Sequence, residues 1–294
     1  MKISVITPCL NRAEFIVEVV ESVLAQNYPY FEHIIVDGGS TDGTFDVLKK
    51  YKHLTVISEP DQGMYDALNK GLDLAQGEIV GFLNTDDLYA PNIFDKIVKQ
   101  FKDRELDAVG GQAVFFEENK RCERIEKMRL SSSPPEGLFK QIVLSGCLMN
   151  AWFFRRDICR NVGAFNPKYK ISGDADFMIR LKLWGFKYKL LDFATYFYFS
   201  HADSLTMALN EKKLQKILKD ASILADSYIG MDFAPMELQN LLRNVCLAIG
   251  SQLADIYFQD SEIDKIIELG NLLSKYDPTW IKKYLNGNKN IQDK

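Results

Sequence analysis

Asp86 and Asp87 are the sharpest chemical feature of the chain. They follow a short apolar run, residues 79–83, and an Asn84-Thr85 step. Neighbouring carboxylates at the end of a buried strand repel one another and need water or a cation. Oxygen ligands suit Mg²⁺ or Mn²⁺, which share their other positions with substrate phosphates. The plainer alternative is a surface turn in which one Asp caps the helix opened by Pro91. Residues 37–43 read DGGSTDG. This is a glycine-rich turn through which backbone can approach a nucleotide, or a tight strand-to-helix connection. Asp174 lies within Ser172-Gly-Asp-Ala-Asp176, where a helix begins. It can act as a helix cap, or as a general base held at a helix N-terminus. Arg180 follows Asp176 at the spacing of a helical ion pair. His201 ends an aromatic run and reads as structural, or as an imidazole ligand that Mn²⁺ tolerates. Trp152, Tyr196 and Tyr198 read as core aromatics ahead of a sugar platform.

The segments between these residues have legible periodicity. Residues 3–7, 33–36, 54–57 and 79–83 are short apolar runs, the pattern of strands covered on both faces. Residues 14–24, 44–51, 67–75 and 92–101 have helical character, with Gly77 past one helix end and Pro91 before a helix start. The order βαβαβαβα calls for a parallel sheet with helices on both faces and right-handed crossovers. Ligands of such sheets bind beyond the carboxyl ends of the strands. Thr7, Asn11, Asp37, Glu59, Asp61, Asp86 and Asp87 cluster there. From residue 107 the pattern turns mixed, with strands over 108–116, 124–130, 151–155, 187–191 and 194–199. A loop at 131–135 and helices over 156–162 and 174–184 interrupt them. After residue 201 the strand signal ends. Helices over 210–228, 237–258, 261–276 and 279–285 form an appendage. Leu238, Leu241, Leu242, Val245, Ile249, Leu253 and Ile256 line one stripe of it. The polar tail beyond Gly287 is expected to fray.

The 294 residues are 47% hydrophobic and 26% charged, which excludes collagen-like, mucin-like and wholly disordered chains. A net charge of −4 lacks the basic field that draws nucleic acid, so no such partner is expected. No stretch approaches the ~18 apolar residues of a membrane span. The apolar start is too short for a signal peptide, so the expected location is the cytoplasm. Cys9, Cys122, Cys147, Cys159 and Cys246 are odd in number and contain no CxxC. They read as buried thiols, not as a disulfide framework or a zinc site. The chain has neither GxGxxG nor GxxxxGK[ST], so the dinucleotide fingerprint and the P-loop are absent.

Four segments occur in order: residues 4–12 (SVITPCLNR), 35–44 (IVDGGSTDGT), 58–71 (SEPDQGMYDALNKG) and 81–87 (GFLNTDD). With Asp174 and His201 they resemble the family-two glycosyltransferases of the GT-A fold over roughly residues 1–205. The resemblance is nearest to the bacterial branch that builds exopolysaccharide, capsule and O-antigen. It implies an α/β fold of GT-A type with a central mixed, mainly parallel sheet. A Rossmann-like nucleotide-binding half would span 1–105, an acceptor-binding half 106–205, and a helical C-terminal region 206–294. It further implies that Thr7, Pro8 and Asn11 line the nucleotide pocket and that Asp37 contacts the base. Asp61, Asn69 and Lys70 border the same pocket. The family's DxD falls on Asn84-Thr85-Asp86, followed by Asp87. Its first Asp is Asn here, so Asp86 and Asp87 share the ribose and metal contacts. The family's His-then-Ser segment matches His201 to Ser204, and His201 joins the metal ligands. The catalytic Asp falls on Asp174, with Gly173 where the family often has Glu. Trp152 and Asp176 are the acceptor-side candidates.

The reaction this resemblance implies is an inverting transfer of a sugar from a nucleotide-diphosphate donor, with uridine the family default. The acceptor is a saccharide, lipid-linked in many similar enzymes. A divalent cation, Mn²⁺ or Mg²⁺, neutralises the departing diphosphate beside these carboxylates. The C-terminal helices are assigned to the acceptor side or to self-association, the plainer alternative being that their apolar stripe packs on the catalytic domain. They lack a strongly basic face, so any attachment to the inner face of the plasma membrane is weak. Two rivals belong to other classes. A sugar-nucleotide pyrophosphorylase needs a Gly-rich, basic first loop, and residues 8–15 contain no glycine. A non-catalytic nucleotide-sugar-binding protein would have no need of Asp86, Asp87 or Asp174.

Overall fold

Residues 1–119, 123–130, 137–144, 148–201 and 210–287 are described by a computed structural model. Cys122, Cys147, the loop at 131–135, residues 202–204, the boundary near 205 and the tail beyond 287 lie outside the described residues. The first half runs β1 (Ile3–Cys9), α1 (Ile16–Leu24), β2 (Phe31–Asp37), α2 (Thr44–Leu48), β3 (Leu54–Ser58), α3 (Met64–Leu74), β4 (Ile79–Phe82), β5 (Leu88–Tyr89) and α4 (Phe94–Gln100). Then come β6 (Ala108–Glu118), β7 (Arg124–Leu130), α5 (Leu138–Leu144), β8 (Trp152–Arg155), α6 (Arg156–Val162), α7 (Gly173–Trp184) and β9 (Tyr188–Phe199). The C-terminal helices are α8 (Glu211–Asp226), α9 (Met236–Gln259), α10 (Ile263–Leu273) and α11 (Trp280–Gly287).

β1 is buried along its whole length, as a strand covered on both faces must be. It pairs in parallel with β2 on one side and β4 on the other, and β3 adds beyond β2. The full order is β3-β2-β1-β4-β8-β6-β9-β5, with β7 also on β6. β8 is antiparallel to both of its neighbours, and β5 and β7 are antiparallel to theirs. The sheet is therefore mixed, as expected, with β1 to β4, β6 and β9 running one way and β5, β7 and β8 the other. Its order turns back at β1. The β1–β4 pairing stops at Ile6↔Phe82, while β1 stays with β2 as far as Cys9↔Asp37. Pro8 has no N–H to donate, and it stands on the β4 side past the last rung, so the ladder loses nothing there. The crevice beyond Ile6 and Phe82 is a switch point, the place where open α/β sheets bind ligands.

Two details depart from the sequence reading. The strands read at 187–191 and 194–199 are one strand, β9, whose register against β6 shifts at Gly110/Gln112 and Gln112/Ala113. Polar Asp192 imitates a strand end, and the register shifts absorb it. β5 was not anticipated. Two residues carry no periodicity, and their partners Phe197 and Tyr196 lie far along the chain.

The described chain forms two compact units, residues 1–138 with 146–201, and residues 139–145 with 202–294. The second unit thus takes in residues 139–145, which the sequence reading assigns to the first. In it α9 packs on α8 and α10. The buried stripe of α9 runs through Leu238, Leu242, Cys246, Gly250, Leu253 and Tyr257. Val245, Ile249 and Ile256 stand at its edge, half-buried. Gly250 admits α10: a Cβ there would lie 2.3 Å from Leu273 Cδ1.

His33, in the middle of β2, is fully buried. Its Nε2 lies 3.0 Å from Thr7 Oγ1, and its Nδ1 has no hydrogen-bond partner among the described residues. Burial, and secondarily the charge of His53, push its pKa down from 6.5 to about 3. A depressed imidazole pKa stabilises the fold above the unfolded value of 6.5 and loses that contribution as pH falls toward 3. The expected loss is about 1.4 kcal/mol per pH unit below that point. Urea midpoints at pH 7.5, 5.5 and 4.5 should fall more steeply for the parent than for His33→Gln. Parallel slopes would refute the assignment.

Candidate active site

The loops that leave β1 and β2 are knitted into one floor. Asn11 donates its N–H to Ser40 Oγ (2.7 Å), and its Oδ1 accepts the Thr41 N–H (2.9 Å). Arg12 N–H reaches Thr44 Oγ1 (2.8 Å), and Ala13 N–H reaches Asp42 Oδ2 (3.0 Å). Asn11 adopts a left-handed backbone (φ 52°), which Asn tolerates better than most residues. Thr44 donates its N–H and hydroxyl to Asp42 Oδ1. These bonds, led by those to Thr44, hold the Asp42 carboxyl down at about 2. Asp37 is fully buried, and its carboxylate accepts from the Ser40 N–H and from the hydroxyls of Ser40 and Ser58 (2.6 Å for Ser58). The polar letters of the 37–44 stretch are thus largely consumed in building the floor. Sequence reasoning assigns Asp37 to a base and reads residues 37–43 as a turn, with no separate role for Ser40, Thr41, Asp42 or Thr44. Their spacing after a strand is the signal that was available.

Several residues expected to touch the donor face elsewhere. Thr7 is fully buried with its hydroxyl on His33, and Pro8 is buried too. Asn69 spends both ends of its amide on the backbone of Phe165, donating to its carbonyl and accepting its N–H at 2.8 Å each. The side chains of these three positions hold the scaffold and present no open polar atom to the crevice. Lys70 Nζ pairs with Glu59 (2.8 Å) and reaches the Pro60 carbonyl (3.1 Å), closing the loop after β3. Asp61, in that loop, accepts the Gly63 N–H on Oδ1 (2.8 Å). Its Oδ2 stands over Gly38, where a Cβ would come within 2.6 Å. Gly38 therefore lets this carboxylate lie against the floor.

Asp86 and Asp87 have opposite environments. Asp87 is 1% exposed. Its Oδ2 accepts from Tyr196 Oη (2.5 Å) and Asn84 Nδ2 (3.2 Å), and its Oδ1 from the Phe199 N–H (2.9 Å). Burial first, and then the charge of Asp86, push its carboxyl up to about 7. With all three of these bonds spent inside the fold, Asp87 locks the turn to the end of β9, and the open side of the pair belongs to Asp86. Asn84 also finds its reason here, since an Asp in its place would set another negative charge against Asp87. Asp86 keeps the open position. Its Oδ2 lies 3.1 Å from His201 Nε2, and the imidazole lies between the rings of Phe15 (5.8 Å) and Phe199 (5.2 Å). A cavity of about 210 Å³ opens beside Asp86, lined also by Phe15, Phe116, Glu118 and Arg124.

One carboxylate oxygen and one imidazole nitrogen converging is a donor set that fits Mn²⁺. No group of three potential ligands gathers among the described residues. The remaining positions would fall to water and substrate oxygens, the usual arrangement for Mg²⁺ and Mn²⁺ at phosphate sites.

Asp174 is the second residue of α7, one place inside the helix start, and Ser172 is the cap residue. The cap reading is corrected accordingly. Asp174 Oδ1 accepts the Ala175 N–H (2.8 Å), within the first turn that favours an ionised carboxylate. The segment before it docks on the entry to α3. Lys170 Nζ donates to the Gln62 carbonyl (2.8 Å), and Tyr65 Oη to the Ile171 carbonyl (2.6 Å). Asp176, the other acceptor candidate, is 5% exposed and ion-paired to Arg180 at 2.8 Å. Arg180 in turn donates to the carbonyls of Val162 and Gly163, so the pair braces a corner of the fold. Trp152 is 3% exposed and packs among Phe154, Phe186 and Tyr188. It offers no open face to a sugar, and both acceptor readings give way to structural ones.

Comparison with known proteins places the sequence in a family and the fold beside solved structures. Glycosyl transferase family 2 matches residues 4–163. A PGL/p-HBAD biosynthesis glycosyltransferase of Mycobacterium tuberculosis is 33% identical over 185 residues, covering 60% of this chain and 68% of that protein. The putative teichuronic acid biosynthesis glycosyltransferase TuaG of Bacillus subtilis is 43% identical over 105 residues, covering 34% of this chain and 40% of its own. Among solved structures, S. aureus TarS 1-349 in complex with UDP-GlcNAc aligns with a TM-score of 0.66 at 20% identity, covering 97% of this chain and 84% of that one. The mannosyltransferase PcManGT of Pyrobaculum calidifontis, in complex with GDP-Man and Mn²⁺, aligns at 0.60 and 19%, covering 100% and 88%. These two carry the fold. The matched span includes the switch-point crevice, its knitted floor and the Asp86 turn, and by that match the chain belongs to Glycosyl transferase family 2.

Proposed function

We propose that this chain transfers a sugar from a nucleoside-diphosphate donor to a saccharide hydroxyl, with inversion at the anomeric carbon, during synthesis of a cell-surface polysaccharide. The observation that carries the reading is Asp86 facing His201 at the mouth of the β1–β4 crevice. The names of the relatives support the pathway class. The UDP-GlcNAc bound by TarS favours a uridine donor, and the Mn²⁺ of PcManGT favours a divalent cation. The donor lies over the floor made by residues 10–13 and 38–44, with Asp61 beside the base. Asp86 and His201 would hold a divalent cation, and the chemistry it would supply there is neutralisation of charge on the departing diphosphate. Asp174 takes the proton from the acceptor hydroxyl as its oxygen bonds to the anomeric carbon. The bond from that carbon to the phosphate oxygen breaks on the opposite face, and the electron pair leaves with the diphosphate.

We read the location as cytoplasmic, with weak attachment at the inner membrane face where a lipid-linked acceptor would be met. Among the described residues no helix is long and apolar enough to cross a membrane.

Thermal shifts with UDP, GDP and dTDP, each in Mn²⁺ and in EDTA, test the donor site. Ligand at a hundredfold its Kd adds about 2.7 kcal/mol, so the Tm should rise by roughly 5 °C with one nucleotide in Mn²⁺ and far less in EDTA. Asp86→Ala should abolish the difference between the two. An equal rise with and without metal in the parent protein would sink the proposal.

A further inference from the structure

Gly173, immediately before Asp174, has no room for a side chain. A Cβ there would stand 2.6 Å from the ring of Tyr65, which is 2% exposed and stacked on Phe165 at 5.8 Å. The phenol of the same residue donates to the Ile171 carbonyl at 2.6 Å and lies 3.4 Å from Asp174 Oδ1. Tyr65 thus touches the chain before the carboxylate, the backbone beside it and the carboxylate itself. It also belongs to a short strap. Asp61, which lies over Gly38, is bonded to Gly63, and Gln62 is bonded to Lys170. One turn of chain, residues 61–65, therefore touches the donor floor at one end and the Asp174 segment at the other.

We propose that Tyr65 is the positioning residue for Asp174: its ring against Gly173 and its hydroxyl between Ile171 and Asp174 fix where the carboxylate points. The inference rests on the reading of Asp174 as the base. The ring blocks the backbone from sliding toward α3. The hydroxyl, a good hydrogen-bond donor to Ile171, keeps the helix start from rotating. Asp174 Oδ1 accepts the Ala175 N–H, and the phenol oxygen, whose one proton goes to Ile171, stands 3.4 Å from it. Misplacing a reacting group by about 1 Å can cost a hundredfold in rate. A role in the aim of the base predicts a loss in turnover, with donor affinity unaffected.

Tyr65→Phe keeps the ring and removes the hydroxyl, so the variant retains the contact with Gly173 and should fold. Release of the nucleotide, with water as acceptor, is measured in Mn²⁺ for UDP-GlcNAc, UDP-glucose and GDP-mannose with the parent, Tyr65→Phe and Asp174→Asn. The expected result is a fall of about tenfold to a hundredfold in kcat for Tyr65→Phe, with the donor KM within twofold of the parent. A merely structural role would lower the Tm and leave kcat per folded molecule unchanged. That outcome overturns the proposal. If Asp174→Asn keeps the parent rate, the base assignment fails and takes this inference with it. If Asp174→Asn is inactive while Tyr65→Phe turns over within twofold of the parent, the inference alone fails. A crystal structure of Tyr65→Phe gives a readout free of turnover. The Asp174 carboxylate should have left the Ala175 N–H, and an unmoved carboxylate overturns the proposal.

Discussion

Asp174→Asn is expected to fold and to bind donor as the parent does, while losing ~10²–10⁴ of its transfer rate. The substitution is nearly isosteric. The Asn side-chain oxygen can still accept the Ala175 N–H that Asp174 Oδ1 accepts at 2.8 Å. What vanishes is the negative charge in the first turn of α7, worth about 0.3–1 kcal/mol of helix stability, and the capacity to hold a proton. A structural role therefore predicts a Tm lower by a few degrees at most and an unchanged rate. A base predicts the reverse. Donor affinity should survive, because the strap of residues 61–65 stands between the floor and the base and keeps its own bonds. Nucleotide thermal shift and single-turnover transfer, measured on one preparation, separate the two. A rate within tenfold of the parent would move the base elsewhere. Asp176 would be a poor substitute, since it is buried against Arg180.

Trp152→Ala is expected to destabilise the protein by about 3–5 kcal/mol and to leave donor binding per folded molecule unchanged. The indole lies within 6.3 Å, centroid to centroid, of Phe154, Phe186 and Tyr188. It also fills the space over Gly110, where a Cβ would come within 2.4 Å of the ring. Strand β8 joins β4 to β6, so the cavity left by this change would open in the middle of the sheet. Urea denaturation measures the loss directly. A sugar platform would behave otherwise, with stability nearly intact and acceptor KM raised. A destabilisation below about 1 kcal/mol would restore that reading.

The first hundred residues were legible because their signals are local. Continuous apolar runs mark β1 to β4, and polar residues at their ends mark the crevice. The failures share one cause: partners distant in sequence decide which way a side chain faces. Asp86 and Asp87 are chemically identical neighbours, and only Tyr196 and Phe199, from β9, bury one and leave the other open. Asn69 looks like a donor contact until the backbone of Phe165 takes up both ends of its amide. Trp152 carries the same letter whether it stacks on a sugar or on Phe154. Gly173 looked like a departure from the family, and the ring of Tyr65 supplies its reason. β8 escaped in direction though not in position, because an antiparallel strand between parallel neighbours leaves no mark in its own residues.

The lock on Asp87 also sets a timetable for synthesis. Tyr196 lies 109 residues beyond Asp87, and His201 lies 115 beyond Asp86. At ~5–20 residues per second, a ribosome emits the aspartates on the order of 5–20 s before their partners. Through that interval the nascent chain lacks Tyr196, Phe199 and His201, the distant partners of its two aspartates. β9 must then enter between β6 and β5, a long-range pairing of the slow kind. A chain that stalls short of β9 thus leaves Asp87 without Tyr196 and Phe199, and Asp86 without His201.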